Sequence, residues 1–218
     1  MSGKVREYEG EKIVVHYDAK RCIHVAECVE GLPKAFQRDR RPWVDPDAAR
    51  ADEIAEVIGR CPTGALHFRR RDNAAAEPVP VENMAALAPD GPVYVKGDVE
   101  VVDGNGSLKL ADVRLALCRC GASENKPFCD GRHTEAGFQD PGQLVNPKPR
   151  PDGYSPGGKL TVTPLADGPV RVEGALEMRS ADGQQSSFHD TKVHLCRCGA
   201  SQKKPFCDGS HKAIGFSA

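Results

Sequence analysis

The residues of this chain best suited to chemistry are its nine cysteines, which fall into three groups of three: Cys22, Cys28 and Cys61; Cys118, Cys120 and Cys129; Cys196, Cys198 and Cys207. An odd number does not close into a disulfide framework. The opening MSGKVREYEG has no apolar leader, so the chain reads as cytoplasmic. Thiols stay reduced in that compartment, and grouped cysteines there point to metal.

The second and third groups share one pattern, Cys-x-Cys-x8-Cys-x3-His, ending at His133 and His211. Residues 118–133 and 196–211 are identical at 13 of 16 positions. The likeness extends outward: DGPVYVKGDVEV from Asp90 parallels DGPVRVEGALEM from Asp167, and Gly137-Phe138 parallels Gly215-Phe216. A duplicated domain explains flanking matches of this kind. Cys118 and Cys120 are near enough in sequence to hold one metal atom together. Cys129 and His133 are expected around one helical turn, with Asp130 capping its start. Three thiolates and one imidazole fit a tetrahedral zinc or an iron–sulfur cluster, and the spacing alone does not separate them.

The string Cys-x-Cys-x2-Ser-x3-Pro-x-Cys-Asp-Gly-x-His resembles the signature of the CDGSH iron–sulfur family, the mitoNEET-like proteins. Cys118, Cys120, Ser123, Pro127, Cys129, Asp130, Gly131 and His133 carry the likeness in the first copy; Cys196, Cys198, Ser201, Pro205, Cys207, Asp208, Gly209 and His211 carry it in the second. The resemblance implies a 2Fe-2S cluster in each copy, with the Cys-x-Cys thiolates on one iron and the third Cys plus the His on the other. It also marks Ser123, Pro127, Ser201 and Pro205 as cofactor-binding positions. Two thiolates per iron give potentials near about −400 mV, and two histidines on one iron roughly −150 to +300 mV, so this mixed set falls between. Before the His the family carries a small residue; Ser210 conforms and Arg132 does not. A cation there raises the potential of the first cluster, so the two sites are expected to be inequivalent.

The first group is read separately. RCIHVAECVEGLPKAF, then PWVDPD, then IGRCPTGAL resembles a divergent mono-cluster ferredoxin domain. In the ferredoxin run Cys-x2-Cys-x2-Cys the middle ligand would fall at position 25, which here is Val25. With three thiolates the resemblance implies a 3Fe-4S cluster. The competing form is 4Fe-4S, with His24 or an outside ligand on the fourth iron. His16, His67, His189 and His194 lie on or beside expected strands and read as surface or packed residues.

These groups must be positioned by small elements, because the 218 residues include 22 glycines and 17 prolines and only 6% aromatics. Short strands are expected at Val93–Val95, Val99–Val102 and Val113–Leu117, and again at Val170–Val172, Leu176–Met178 and Val193–Leu195. Lys12–Tyr17 alternates like a strand, Asp45–Ile58 suits a capped amphipathic helix, and Ala65–Phe68 returns as a strand. Pro- and Gly-rich stretches at 139–159 and about 72–90 read as connectors. The fold class is therefore α+β: a small ferredoxin-like domain over 10–71, then β-rich CDGSH-type domains over 88–140 and 160–218. The two copies are expected to pair as a pseudo-dimer within one chain, leaving the protein a monomer.

Thirty basic against thirty-one acidic side chains argue against nucleic-acid binding, and no apolar run is long enough to span a membrane. Arg38–Arg41 and Arg69–Arg71 read as solvated faces able to dock an acidic redox partner. No general acid, base or nucleophile forms a recognisable constellation, so no enzyme is expected. The expected function is electron transfer with redox partner proteins. The alternatives are cluster storage, transfer to apo-acceptors or redox sensing, and a structural zinc protein.

Overall fold

The computed structural model describes residues 5–218 and is mostly strands, with three short helices among the described residues. Met1–Lys4, part of the opening read for a leader, lie outside them. The chain divides into two units, one ending at Pro78 and one running from Val79 to Ala218.

In the N-terminal unit, β1 (Arg6–Glu9), β2 (Ile13–Tyr17) and β3 (Leu66–Arg70) form an antiparallel sheet with β2 in the middle. The β-branched run Ile13-Val14-Val15 is fully buried, as a central strand requires. Helix α1 is Glu27–Gly31 and helix α2 is Ala51–Gly59. The α2 helix buries Ala51, Ile54, Val57 and Ile58, one face at helical spacing. Ile54 is at 0% exposure in the core with Ile13, Val15 and Phe36, so truncating it to Ala costs about 2–5 kcal/mol.

The helix starts six residues later than the sequence reading placed it. Asp45 does not cap it: Asp45 N donates to Ala35 O (2.9 Å), and its Oδ1 accepts from Asp47 N (3.1 Å), making a turn. The first turn is instead held by Glu53, whose Oε2 accepts from Arg50 N at 3.0 Å. The only Trp, Trp43, gathers Tyr8, Tyr17 and Phe36 at ring distances of 6.2, 4.9 and 6.0 Å.

In the C-terminal unit, the first repeat supplies β4 (Met84–Leu87), β5 (Val93–Val102) and β6 (Leu108–Leu117). The second supplies β7 (Lys159–Pro164), β8 (Val170–Glu173), β9 (Leu176–Arg179), β10 (Ser186–His189), β11 (Lys192–Leu195) and helix α3 (Ser210–Ala213). All eight strands join one sheet. Strand β4 lies antiparallel to the first half of β5 in its own repeat and parallel to β9 of the other. Strand β7 repeats the arrangement, antiparallel to β8 and parallel to the second half of β5. Each repeat thus lends its first strand to the other, and one core contains Val93, Val99 and Leu115 together with Leu160, Val172 and Met178.

Two expectations need correction. The stretch 72–90 is not all connector, because it contains β4. Met-Ala-Ala-Leu has no β-branched residue to signal a strand, and its pairing on both sides makes it one. Gly97 and Gly174, equivalent in the repeats, also act differently. A Cβ at Gly97 would stand 2.1 Å from Asn83 Oδ1, so glycine lets β5 run past Asn83 unbroken. Gly174, with φ +118°, separates β8 from β9. The 139–159 segment packs on the sheet it connects: Leu144 is buried, and Tyr154 meets Phe188 at 4.8 Å.

Candidate metal centres

Each repeat brings its donors together from the end of a strand and the loop that follows it. β6 runs directly into Cys118, and Leu117 bridges to Phe128, so the loop folds back alongside the strand. Cys118 N donates to Pro127 O (2.9 Å) and Cys129 N to Ala116 O (2.8 Å), fixing the two cysteines across that bridge. The second copy repeats both bonds, Cys196 N to Pro205 O and Cys207 N to His194 O, each 2.8 Å.

The donors stand in pairs. Cys118 and Cys120 sulfurs are 3.6 Å apart, and Cys129 Sγ is 3.4 Å from His133 Nδ1. In the second copy the corresponding separations are 3.8 and 3.4 Å. Among the described residues no three His, Cys, Asp or Glu side chains are grouped closely enough to hold a single ion. Backbone N–H groups aim at sulfur: Ala122 N lies 3.4 Å from Cys120 Sγ and Gly131 N 3.5 Å from Cys129 Sγ. The Cys118 thiol is pushed down to about 6, first by the Cys120 thiol donating to it and then by backbone N–H groups of Ser123, Gly121 and Cys120. Burial pushes Cys129 up to about 11. Burial also lowers His133, with Arg119 adding to the effect and Asp130 opposing it.

The two sites touch. A Cβ on Gly121 would stand 2.7 Å from Cys198 O, and a Cβ on Gly199 would stand 2.6 Å from Cys120 O. Both glycines have left-handed φ, +83° and +81°. Lys126 of the first repeat also lies over the Phe216 ring of the second at 5.7 Å.

In the N-terminal unit Cys22, Cys28 and Cys61 line one cavity of about 1080 Å³, together with Tyr17, His24 and Thr63. Cys22 and Cys28 flank a loop in which His24 and Ala26 both take left-handed backbone, φ +58° and +75°. The three thiols feel one another: burial first, then the charges of Cys61 and Cys22, push Cys28 up to about 11. Burial and the neighbouring Cys22 likewise raise Tyr17 above the ordinary phenol range. The donors and the room beside them fit an iron–sulfur cluster.

Comparison with known proteins matches residues 8–71 to a family described as divergent 4Fe-4S mono-cluster. Residues 90–134 and 167–212 each match a family described as iron-binding zinc finger, CDGSH type. The chain is an iron–sulfur protein of the CDGSH family, with two CDGSH domains behind a divergent mono-cluster domain. It is also 39% identical over 71 residues to the uncharacterized protein YjdI of Escherichia coli K12, covering 33% of this chain and 93% of that one; the O157:H7 protein gives the same figures.

Within the CDGSH domains the four positions marked as cofactor-binding have partners in their own loops. Ser123 Oγ donates to Phe128 O (2.6 Å) and accepts from Asn125 N (3.0 Å); Ser201 makes the equivalent bonds to Phe206 O and Lys203 N. Pro127 and Pro205 offer their carbonyls to Cys118 and Cys196. All four shape the loop that holds the ligands. The expected helical turn after the third cysteine exists only in the second domain, as α3; the first has turns there. The aspartate is a staple: Asp130 accepts from Glu124 N (2.8 Å) and Arg132 N (3.2 Å), and Asp208 from Gln202 N (2.8 Å) and Ser210 N (3.0 Å).

Arg132 does not stand alone beside His133. It pairs with Glu124 and lies 3.8 Å from Asp130. The second domain has Ser210 and Gln202 at the two equivalent places, so cation and anion disappear together. The excess positive charge expected at the first site is therefore offset locally.

Sequence reasoning missed Arg119 and Arg197, which stand between the paired cysteines. Arg119 is 2% exposed, and its guanidinium serves Gly91 O (2.7 Å), Ala88 O (2.5 Å) and Asp140 Oδ1 (2.5 Å). Arg197 serves Gly168 O (2.9 Å) and Leu165 O (2.6 Å). Each lies against a Phe ring, Phe138 at 5.4 Å and Phe216 at 5.3 Å. Their recurrence in both copies was the available signal. Three arginines of the basic runs are held in ion pairs: Arg70 with Asp52 and Asp72, Arg71 with Glu9, and Arg40 with Asp45.

Proposed function

We propose that this protein is a one-electron carrier for redox partner proteins, holding a two-iron cluster in each CDGSH domain and a further cluster in the N-terminal unit, with no substrate of its own. The observation that carries the reading is the abutment of the two paired-cysteine loops, Gly121 against Cys198 and Gly199 against Cys120. Iron–sulfur clusters supply one-electron acceptor and donor chemistry when bound. The chain contributes the setting. Cys118, Cys129 and Cys196 are buried, and backbone N–H groups are aimed at the sulfurs of Cys120 and Cys129. Donors arranged two by two favour a two-iron body over a single zinc, whose four ligands converge on one point. The reciprocal exchange of β4 and β7 supports one chain supplying both halves of a pseudo-two-fold unit, so that no second chain is needed.

A second reading is favoured by the partial exposure of His133 and His211, which makes the imidazole a releasable ligand. In that reading the protein passes clusters to apo-acceptors. Protein purified without oxygen, cycled through reduction and reoxidation and then mixed with an apo-ferredoxin, tests the two together. A carrier keeps its iron and sulfide through the cycles and leaves the acceptor empty. Prompt filling of the acceptor at neutral pH would move the assignment to cluster transfer, and colourless, zinc-loaded protein would end both. A sedimentation mass near twice 23.5 kDa would end the single-chain arrangement.

A further inference from the structure

We propose that His24 is the fourth ligand of the N-terminal site, completing a four-iron cluster with Cys22, Cys28 and Cys61. The inference rests on the N-terminal unit holding a cluster, as proposed above. A ferredoxin run places thiolates three residues apart. Cys22 and Cys28 keep the first and last of those places, while Val25 in the middle offers no donor and is 42% exposed. The neighbouring His24 has a donor and lines the same cavity as the three cysteines.

The backbone of the loop supports this. Two left-handed residues in a seven-residue segment, neither of them glycine, is an uncommon and costly arrangement, above all for Ala26. Changes of backbone handedness turn successive N–H groups toward one concave side, the kind of nest that receives an anionic cluster. The left-handed turn at His24 also redirects its side chain, and its Nδ1 lies 3.9 Å from Cys22 Sγ. With Nδ1–H toward that sulfur, the Nε2 lone pair is left for metal, the tautomer that ligating histidines commonly adopt. Nε2 stands further from its Cα than a cysteine sulfur does, which makes up for the one-residue offset. Because His24 is exposed, the iron it holds is the one that dissociates first.

The test compares the full chain with His24→Ala, His24→Cys and Cys22→Ser, all purified without oxygen, by iron and sulfide content and EPR in oxidised and reduced states. His24 is exposed, so its replacement opens no cavity in the core, and His24→Cys, on the same left-handed backbone, separates loss of the donor from loop strain. The unaltered chain is expected to hold about eight irons, two two-iron clusters and one four-iron cluster, with no oxidised three-iron signal. His24→Ala loses about one iron and gains that signal, and His24→Cys restores the original count and spectrum. Unchanged iron content and spectrum in His24→Ala would overturn the assignment, as would a three-iron signal in the unaltered chain. Should Cys22→Ser also leave iron unchanged, the N-terminal cluster itself would be refuted along with it.

Discussion

Gly121 of the first CDGSH domain faces Cys198 of the second so closely that a Cβ on it would stand 2.7 Å from the Cys198 carbonyl oxygen. Gly209, also left-handed at φ +92°, has open space around its Cβ position. Both positions strain an alanine by about 1–3 kcal/mol, but only Gly121→Ala adds a collision, worth about 1–3 kcal/mol more. Urea unfolding of the metal-free chain is expected to rank Gly121→Ala below Gly209→Ala. In a chain with Cys118 and Cys120 changed to Ser, Gly121→Ala is further expected to lower the iron retained by the second site. Equal stabilities and unchanged iron would mean that the loops move apart freely.

The buried Arg119 makes a second case. Its fork satisfies two carbonyls and the Asp140 carboxylate, whose side chain is only 12% exposed. Arg119→Ala leaves that carboxylate bonded to Gly142 N (2.9 Å) but without its counter-charge, and is expected to cost about 3–5 kcal/mol. Arg119→Lys is expected to recover only part, because an ammonium cannot span three acceptors in a plane. A double-mutant cycle with Asp140→Asn checks the cause: the pair of changes should cost less than their sum by about 0.5–3 kcal/mol. Strict additivity would separate the two residues energetically.

The chemistry of this chain was more legible than its architecture. Ligand type and spacing are local, and the repeated Cys-x-Cys-x8-Cys-x3-His could be read directly. Apolar faces such as Ile54, Val57 and Ile58 on α2, or Val170–Val172 in β8, follow local periodicity and could be read too. Strand β4 could not, since Met84–Leu87 becomes a strand by pairing with β5, next in the chain, and with β9, more than ninety residues further on. The loop bond of Ser123 was hidden for a related reason: the motif gives no hint that its hydroxyl donates to Phe128 O. Arg119 was passed over because arginine in a balanced chain reads as surface, and burial shows only when carbonyls from distant loops surround it.

The Glu124–Arg132 pair leads to a prediction opposite in emphasis to the one drawn from Arg132 alone. With both charges present the first site gains little net positive potential relative to the second. Removing the anion by Glu124→Gln leaves Arg132 less compensated, and a cation stabilises the more negative, reduced form. The midpoint potential of the first cluster is therefore expected to rise by on the order of tens of millivolts, from Coulomb's law across about 10 Å of high-dielectric surroundings. The pair is solvent-exposed, so the shift should shrink as salt shortens the Debye length from about 30 Å at 0.01 M to about 10 Å at 0.1 M. Spectroelectrochemical titration at the two ionic strengths measures it. No shift at low salt would place Arg132 outside the electrostatic reach of the cluster.

Acid stability tests the imidazole ligands. An imidazole binds metal only when neutral, so protonation competes with iron for His133 and His211. Burial, followed by Arg119, holds His133 below the ordinary histidine range in the metal-free chain. The sign follows from linkage: a folded state that prefers the neutral form is fully stabilised above the unfolded pKa of about 6.5, and loses that stabilisation as pH falls from there through the lowered folded value. Metal binding extends the same preference, so bleaching of the visible spectrum should begin below about pH 6.5. His133→Cys removes one acid-labile ligand and His211→Cys the other. For the CDGSH clusters each single change is expected to leave a biphasic pH-loss curve with one site surviving further into acid, and the double change a single late phase. The double change should also shift the potentials toward the all-cysteine range near about −400 mV. Loss curves that ignore both substitutions would remove the histidines from the metal and leave three thiolates at each site to hold it.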